Sequence, residues 1–367
     1  MAVKALVCTR ILLFLPLLLS ACVTLPDFET SQENSTEIIS RYNDGNEPIG
    51  QTFIARRPRL NGLTFWVERE PSTESQQAWV TVRLFSSPED ASQAGSPIYN
   101  THISTGSSGP ISVSLPPLDG EAGKQYYLEL APSDGSIFIK GQNLDAYAGG
   151  QAYAAGVPLE ADLAFRTSYE FDAQAALSDI GGMLGRIGLV LPLALTLLVP
   201  GWLLLDLSGL RQRFDGGEQA AISLGLSLAL IPILMLWTST LGLHWSRSAV
   251  IVVSVLLAAA TFWRLLRQPK AFRFIWAELL LIAIFVFSLV VRMMMVRDLA
   301  APAWVDPVHH ALITRLILEG GSFPHSYSPY LELGATVYHA GYHSTQAVFQ
   351  WLSGLDLPEG MLLYGQV

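Results

Sequence analysis

The sequence has little cysteine and little charge. Its only two cysteines, Cys8 and Cys22, lie in the first 22 residues, so a domain after that segment has no disulfide and no cysteine metal cluster. Charged residues make up 14% of the 367 residues, against about 25% in a typical soluble protein, whereas 50% are hydrophobic. This composition excludes an ordinary soluble protein and indicates a membrane protein.

The charges that are present are distributed unevenly. Residues 23–182 contain 21 acidic and 9 basic residues, whereas the rest of the chain contains 10 acidic and 13 basic residues. This difference predicts two parts that face different solvents. No nucleic-acid partner is expected.

The first 22 residues have the features of an export signal. Lys4 and Arg10 precede an apolar run of eleven residues, 11–21, which is too short to cross a bilayer core that needs about 20. The run ends in LSAC, which resembles the bacterial lipobox and predicts lipidation of Cys22 after cleavage. An uncleaved membrane anchor is the alternative. Both interpretations place the following residues outside the cytoplasm.

Short β-type runs occupy residues 47–172 and are separated by Gly, Pro, Ser and Asp. In TVRLF and YLEL, apolar and polar residues alternate, as in a strand with one buried face. At least seven such runs predict an all-β sandwich that resembles jelly-roll modules, which often bind carbohydrate. Residues 23–46 and 173–186 are predicted to be linkers. Candidate sugar-stacking aromatics, unless they belong to the core, are Trp66, Trp79, Tyr147 and Tyr153.

Four apolar runs of near-bilayer length follow the sandwich and predict an α-helical polytopic membrane domain in residues 187–297. The runs are residues 187–207, 220–243, 249–266 and 274–296. The loop after the first run and the segment 264–273 at the end of the third together contain six basic residues, whereas the loop between the second and third runs contains only Arg247. By the positive-inside rule, the basic loops are cytoplasmic and the sandwich is extracytoplasmic. The predicted location is therefore the plasma membrane, with several crossings.

Proline and glycine interrupt the first of these runs. Pro200 lacks an amide donor and Gly201 lacks a side chain, so together they predict a kink in the first membrane helix.

Residues 298–345 are predicted to form an extracytoplasmic loop with an amphipathic helix on the membrane surface. Asp306 and Pro307 mark the expected start of this helix, where an aspartate commonly caps free amide groups. Capping accounts for Asp306 but not for the histidines around it. Five of the seven histidines lie in this loop: His309, His310, His325, His339 and His343. Residues 346–367 are predicted to begin further membrane helices.

The segment WVDPVHHALITRLILEGGSFPHSYSPY, followed by YHAGYH, resembles the first large outer loop of bacterial GT-C glycosyltransferases. LVPGWLLL resembles their earlier spans, and the resemblance covers residues 184–367. It implies transfer of a sugar from a polyprenyl-phosphate donor to a glycan or protein acceptor outside the cell. Such enzymes have more spans than this sequence, so the chain is expected to be the amino-terminal part of a longer protein.

The resemblance also implies roles for individual residues. Asp306 would be the general base that accepts the acceptor's proton. The expected contacts with the phosphate or the acceptor are Arg297, His309, His310, Arg315, His339 and His343. No cofactor is predicted. A divalent ion bound by Asp306, His339 and His343 is an alternative, since carboxylate and imidazole are normal metal ligands.

Two other functions stay open on the sequence alone. One is a non-enzymatic, membrane-anchored surface protein whose β-sandwich binds glycan. The other is a component of a transporter or flippase, which the position of the polar cluster disfavours because transport sites usually lie near the middle of the bilayer.

Overall fold

The computed structural model describes residues 23–39, 48–70, 78–93, 95–120, 122–133, 136–267, 276–302, 306–332, 339 and 341–367. The chain divides into two compact units, Met1–Ser178 and Asp179–Val367. Strands dominate the first unit and helices the second. This confirms the predicted order of a β domain followed by an α-helical domain. The predicted export signal and Cys22 lie outside the described residues.

The described part of the first unit contains thirteen strands. They are β1 (Val23–Gln32), β2 (Glu37–Ile38), β3 (Ile49–Ala55), β4 (Leu60–Arg69), β5 (Ala78–Phe85), β6 (Tyr99–Thr105), β7 (Gly109–Leu118), β8 (Lys124–Pro132), β9 (Ile137–Gln142), β10 (Ala152–Ala154), β11 (Val157–Pro158), β12 (Asp162–Leu163) and β13 (Phe165–Phe171).

The strands form two antiparallel sheets that share one core. One sheet has the order β1-β13-β4-β9-β12, in which β7 also pairs with β4 and β2 with β9. The other has the order β11-β10-β3-β8-β5-β6. Apolar side chains from both sheets form a single buried cluster, in which the rings of Phe53 and Phe165 are 5.7 Å apart. The arrangement is a two-layer β-sandwich, as alternation in the sequence predicted.

The first strand lies inside a segment that the sequence assigned to a linker. β1 pairs with β13 from Val23, opposite Phe171, to Gln32, opposite Phe165. Its buried side chains include polar ones, and the carboxylate of Asp27 accepts hydrogen bonds from the amides of Glu29 and Thr30. The strand lacks the apolar alternation that marks the others, which is why the linker assignment of residues 23–46 is wrong at its start.

Residues 173–186, which the sequence assigned to the second linker, contain a helix, Ala173–Gly185, and the division between the two units falls inside it. Asp172 precedes it, and its Oδ1 atom accepts a hydrogen bond of 2.8 Å from the amide of Ala175, as a helix cap does.

The four candidate sugar-stacking aromatics divide between core and surface. Tyr147 is buried, and its ring packs edge-on against Phe165 at 5.2 Å, so it belongs to the core. Trp66 and Tyr153 are half-buried, whereas Trp79 on β5 is 45% exposed.

The described residues form ten α-helices. They are α1 (Pro88–Ser92), α2 (Ala173–Gly185), α3 (Val190–Leu197), α4 (Val199–Leu207), α5 (Gly216–Thr240), α6 (Arg247–Arg267), α7 (Trp276–Met295), α8 (Asp306–Gly320), α9 (Gly341–Ser353) and α10 (Leu357–Tyr364).

In the part of the chain that the structure describes, four helical segments are long and apolar enough to cross a membrane, as the sequence predicted. They are Ile187–Leu207, Gly216–Thr240, Arg247–Arg267 and Glu278–Met295. The second unit is therefore that of a membrane protein.

The first of these segments is broken near Pro200, where the sequence predicted a kink. α3 ends at Leu197 and α4 begins at Val199. The amide of Gly201 donates a hydrogen bond of 2.9 Å to the hydroxyl of Ser227 on α5. A Cβ atom on Gly201 would lie 2.0 Å from the carbonyl oxygen of Ser223, so the glycine permits the close approach of α4 to α5.

α9 crosses the predicted boundary between the outer loop and further membrane helices at residues 345–346. It packs against α3, α5, α6, α8 and α10. Five of its buried residues are polar: His343, Ser344, Thr345, Gln346 and Gln350. Tertiary packing thus extends this helix back to Gly341, inside the segment that the sequence assigned to a loop.

Candidate functional site

Helices α8 and α9 join an aspartate and two histidines in a hydrogen-bonded chain. On α8, the Nε2 atom of His310 lies 3.2 Å from the Oδ2 atom of Asp306. The Nδ1 atom of His310 lies 2.9 Å from the Nε2 atom of His343 on α9. The Nδ1 atom of His343 lies 3.0 Å from the carbonyl oxygen of His339. This series of hydrogen bonds begins at an exposed carboxylate and leads to a buried ring, since the Asp306 side chain is 75% exposed and His343 is 0% exposed.

Apolar packing determines how α8 and α9 face each other. α8 contributes Ile313 and Ile317 to a buried cluster to which α9 contributes Val348 and Trp351. His310 is three and seven residues before these isoleucines, so it lies on the same face of α8. The packing of the two helices thus directs the His310 ring towards α9.

The partners of His343 determine which of its nitrogens carries hydrogen. A backbone carbonyl can only accept a hydrogen bond, so Nδ1 donates to His339. Burial, with a smaller contribution from the neighbouring charge of His310, lowers the pKa of His343 from 6.5 to about 4. The ring is therefore neutral at pH 7, and its Nε2 atom is an acceptor. The sequence assigns His343 to substrate contact; the structure shows its ring buried against His310, and the substrate contact remains a prediction.

Asp306 is the first residue of α8, and within the described residues its carboxylate contacts His310. The expected capping hydrogen bond to a backbone amide is not formed among these residues. The aspartate therefore directs its side chain along α8 towards the residue one turn later.

The remaining histidines of the loop are in separate surroundings. The Nε2 atom of His309 lies 3.3 Å from the hydroxyl of Tyr327, and the two rings are 5.4 Å apart. His339 supplies its main-chain carbonyl to the chain described above. Both His325 and His339 are exposed. The substrate contacts expected of His309, His310 and His339 remain predictions.

The two arginines expected at the phosphate each have carboxylate partners. Arg297 lies 2.9 Å from Asp179 and 3.3 Å from Asp298, both of which are buried. Arg315 lies 3.0 Å from Glu319, which also accepts a hydrogen bond from the hydroxyl of Tyr330. Arg315 is nine residues after Asp306 on α8, or about 13 Å along the helix axis. The structure thus gives both guanidinium groups structural partners, and their phosphate contacts remain predictions.

No protein-family model matches the sequence, and no curated protein matches it significantly. The chemistry of the site is therefore inferred from its geometry.

The geometry bears on the alternative of a bound divalent ion. Within the described ranges, no three His, Cys, Asp or Glu side chains are grouped so that they can hold a metal. Both ring nitrogens of His343 are already in hydrogen bonds, with His310 and with the His339 carbonyl. His343 would have to break one of these bonds to bind a metal.

Sequence reasoning missed an aromatic residue of the site. The ring of Tyr342 lies 5.9 Å from that of His310 and 5.6 Å from that of His343. It also lies 5.9 Å from the ring of Tyr364 on α10. The signal was present in the YHAGYH segment, where Tyr342 directly precedes His343. The histidine pair at spacing i, i+4 drew the interpretation away from it.

Proposed function

We propose that this protein is a membrane glycosyltransferase, or the part of one that carries its catalytic base. The substrate would be a sugar linked to polyprenyl phosphate, and the acceptor a glycan or protein on the extracytoplasmic side. The observation that carries the proposal is the geometry of Asp306. Its carboxylate is open to solvent, while one oxygen is held by His310, which is itself held by the buried His343.

This arrangement suits a general base. A base must reach the proton of its substrate, which the exposure of Asp306 allows, and it must keep a defined orientation, which the hydrogen bond to His310 provides. In the transfer, an acceptor hydroxyl attacks the anomeric carbon as the bond from that carbon to the phosphate oxygen breaks. The hydroxyl proton passes to Asp306, and the phosphate leaves with the bonding electrons.

An apolar cavity in the helical unit supports a lipid-linked substrate. The cavity has a volume of about 430 Å³, and it is lined mainly by aliphatic side chains from α3 to α6. Val348 of α9 also lines it, five residues after His343 on the same helix. A hydrocarbon chain matches such walls because its transfer from water to apolar surroundings is favourable.

The location of the protein belongs to the same proposal. The sandwich would lie outside the plasma membrane, anchored by the apolar helices and, if the lipobox is used, by lipidated Cys22. One observation favours a second function, glycan binding by the sandwich of a non-enzymatic surface protein: Trp79 is 45% exposed and available for stacking on a sugar ring.

Replacement of Asp306 by asparagine tests the catalytic proposal. Asparagine has nearly the same volume but no basic carboxylate, so transfer should fall by about 10²- to 10⁴-fold, as for removal of a general base. The assay is transfer of labelled sugar from a panel of polyprenyl-phosphate sugars by membranes that contain the full chain at matched levels. Glu332→Gln is the matched control, since Glu332 is an exposed carboxylate of the same region. Normal transfer by Asp306→Asn would contradict the proposal.

A further inference from the structure

Three hydrogen bonds link Asp306, His310, His343 and the carbonyl of His339. The carbonyl can only accept, and this determines the direction of the other two bonds. His343 is neutral and donates from Nδ1, so its Nε2 atom has a lone pair and no hydrogen. The Nδ1 atom of His310, 2.9 Å away, must therefore carry a hydrogen. If it did not, two lone pairs would face each other in a partly buried contact.

The other side of His310 then requires a second hydrogen. Its Nε2 atom lies 3.2 Å from the Oδ2 atom of Asp306, and an ionised carboxylate only accepts. Either Nε2 carries a hydrogen as well or Asp306 is protonated, so the pair holds one proton more than a neutral ring beside a carboxylate. The proton then belongs on the ring, because the carboxylate is 75% exposed and water stabilises its ionised form.

We propose that His343 is a positioning residue that holds His310 as an imidazolium beside the ionised Asp306. The site then presents a carboxylate and an adjacent cation. This pairing matches a substrate with a reacting hydroxyl and an anionic phosphate, which is the part of the inference that rests on the proposed function. His343 acts only through His310, because its own ring is buried.

The groups around His310 are consistent with this charge. On α8 it faces the Asp306 carboxylate and, at a ring distance of 6.5 Å, His309. On α9 it faces His343 and the ring of Tyr342 at 5.9 Å. Asp306 is the anion among these neighbours, and aromatic rings such as that of Tyr342 also attract cations.

Two substitutions of His343 distinguish the effect of its Nε2 acceptor atom from the effect of its side-chain volume. In His343→Gln, the amide oxygen can replace Nε2 as the acceptor, so His310 should keep both hydrogens. In His343→Leu, no acceptor remains, so His310 can release the Nδ1 hydrogen and donate to Asp306 from Nε2 alone as a neutral ring. A purely structural role for His343 gives no reason for the charge of His310 to change.

Nitrogen NMR of the full chain, labelled with ¹⁵N-histidine and held in lipid nanodiscs at pH 7, measures these states. The signals of His310 are those that disappear in His310→Asn. We expect two protonated ring nitrogens in the wild type and in His343→Gln, and one in His343→Leu. A bare nitrogen on wild-type His310 would overturn the proposal, even if the leucine variant did not fold. Two protonated nitrogens in a folded His343→Leu protein would overturn the role of His343.

The transfer assay tests separately whether the charge of His310 contributes to binding of the donor's phosphate. Loss of one partly exposed cation should raise the KM for the phosphate-linked donor by about fivefold in His343→Leu, and His343→Gln should restore it. An unchanged KM in His343→Leu would overturn the phosphate role. If the wild type transfers no sugar while the NMR result holds, the proposed function fails and the proton arrangement stands.

Discussion

Acidification from pH 7 to pH 5 should destabilise the helical unit through His343. Burial lowers the pKa of this residue to about 4 in the folded protein, against 6.5 in the unfolded chain. As the pH falls, the unfolded chain therefore binds a proton before the folded protein does. The stability associated with the neutral ring is fully present above pH 6.5 and is lost between pH 6.5 and pH 4.

The size of the effect follows from the two pKa values. A shift of about 2.5 units corresponds to about 3 kcal/mol once both states are protonated. Between pH 7 and pH 5, where the folded protein has not yet bound the proton, the loss should be about 2 kcal/mol. This is a large part of the stability of a typical domain.

The free energy of unfolding of the purified full chain, measured in mixed micelles at both pH values, tests this prediction. His343→Gln lacks the titrating ring, so its loss of stability on acidification should be smaller than that of the wild type by about 2 kcal/mol. Other titrating groups are common to both proteins and cancel in the comparison. Equal losses in the two proteins would show that His343 is not the acid-sensitive group.

Three further predictions concern the fold and the topology. Gly201→Ala should destabilise the protein by about 1–3 kcal/mol, because the added Cβ atom would meet the backbone of α5. Gly225→Ala is the control, since there is open space around Gly225 and the substitution should not destabilise the protein. Thermal unfolding of the two variants measures the difference. Residues 23–172 alone should show a cooperative β-type melt by circular dichroism, and a fragment without β1 should melt at lower temperature because the edge of β13 is exposed. In intact cells, a single cysteine at Ser208 should be shielded from an impermeant thiol reagent and one at Ser322 labelled, and the opposite pattern would reverse the proposed orientation.

The sequence predicted those parts of the fold in which side-chain polarity alone decides burial. Four runs of bilayer length are apolar on every side, and seven or more strands alternate. β1 and α9 were missed or misplaced for one common reason. Each buries polar side chains that are satisfied by hydrogen bonds, such as Asp27 in β1 and Gln350 in α9, which donates to the carbonyl of Leu355. A pattern based on hydrophobicity cannot register such contacts.

The sequence predicted which residues form the site, but not all of the contacts between them. Asp306 and His310 are one turn apart, so helical periodicity alone places them together. The contact between His310 and His343 joins residues 33 positions apart and depends on how α8 packs on α9. Glu319 is four residues after Arg315 on α8, so helical periodicity also places that pair together. Asp179, in contrast, is 118 residues before Arg297, and only the tertiary fold brings these two side chains into contact.

The polar side chains buried in α9 link the assembly of the bundle to the formation of the site. A helix that carries His343, Gln346 and Gln350 gains little by entering lipid alone, since each unpaired polar group is unfavourable there. Its partners α3, α5, α6 and α8 precede it in the chain, so the ribosome makes them first. α9 is thus expected to dock late, into a groove that these helices have already formed. The same docking event brings His343 to His310, so a chain whose bundle has not closed also lacks an ordered site.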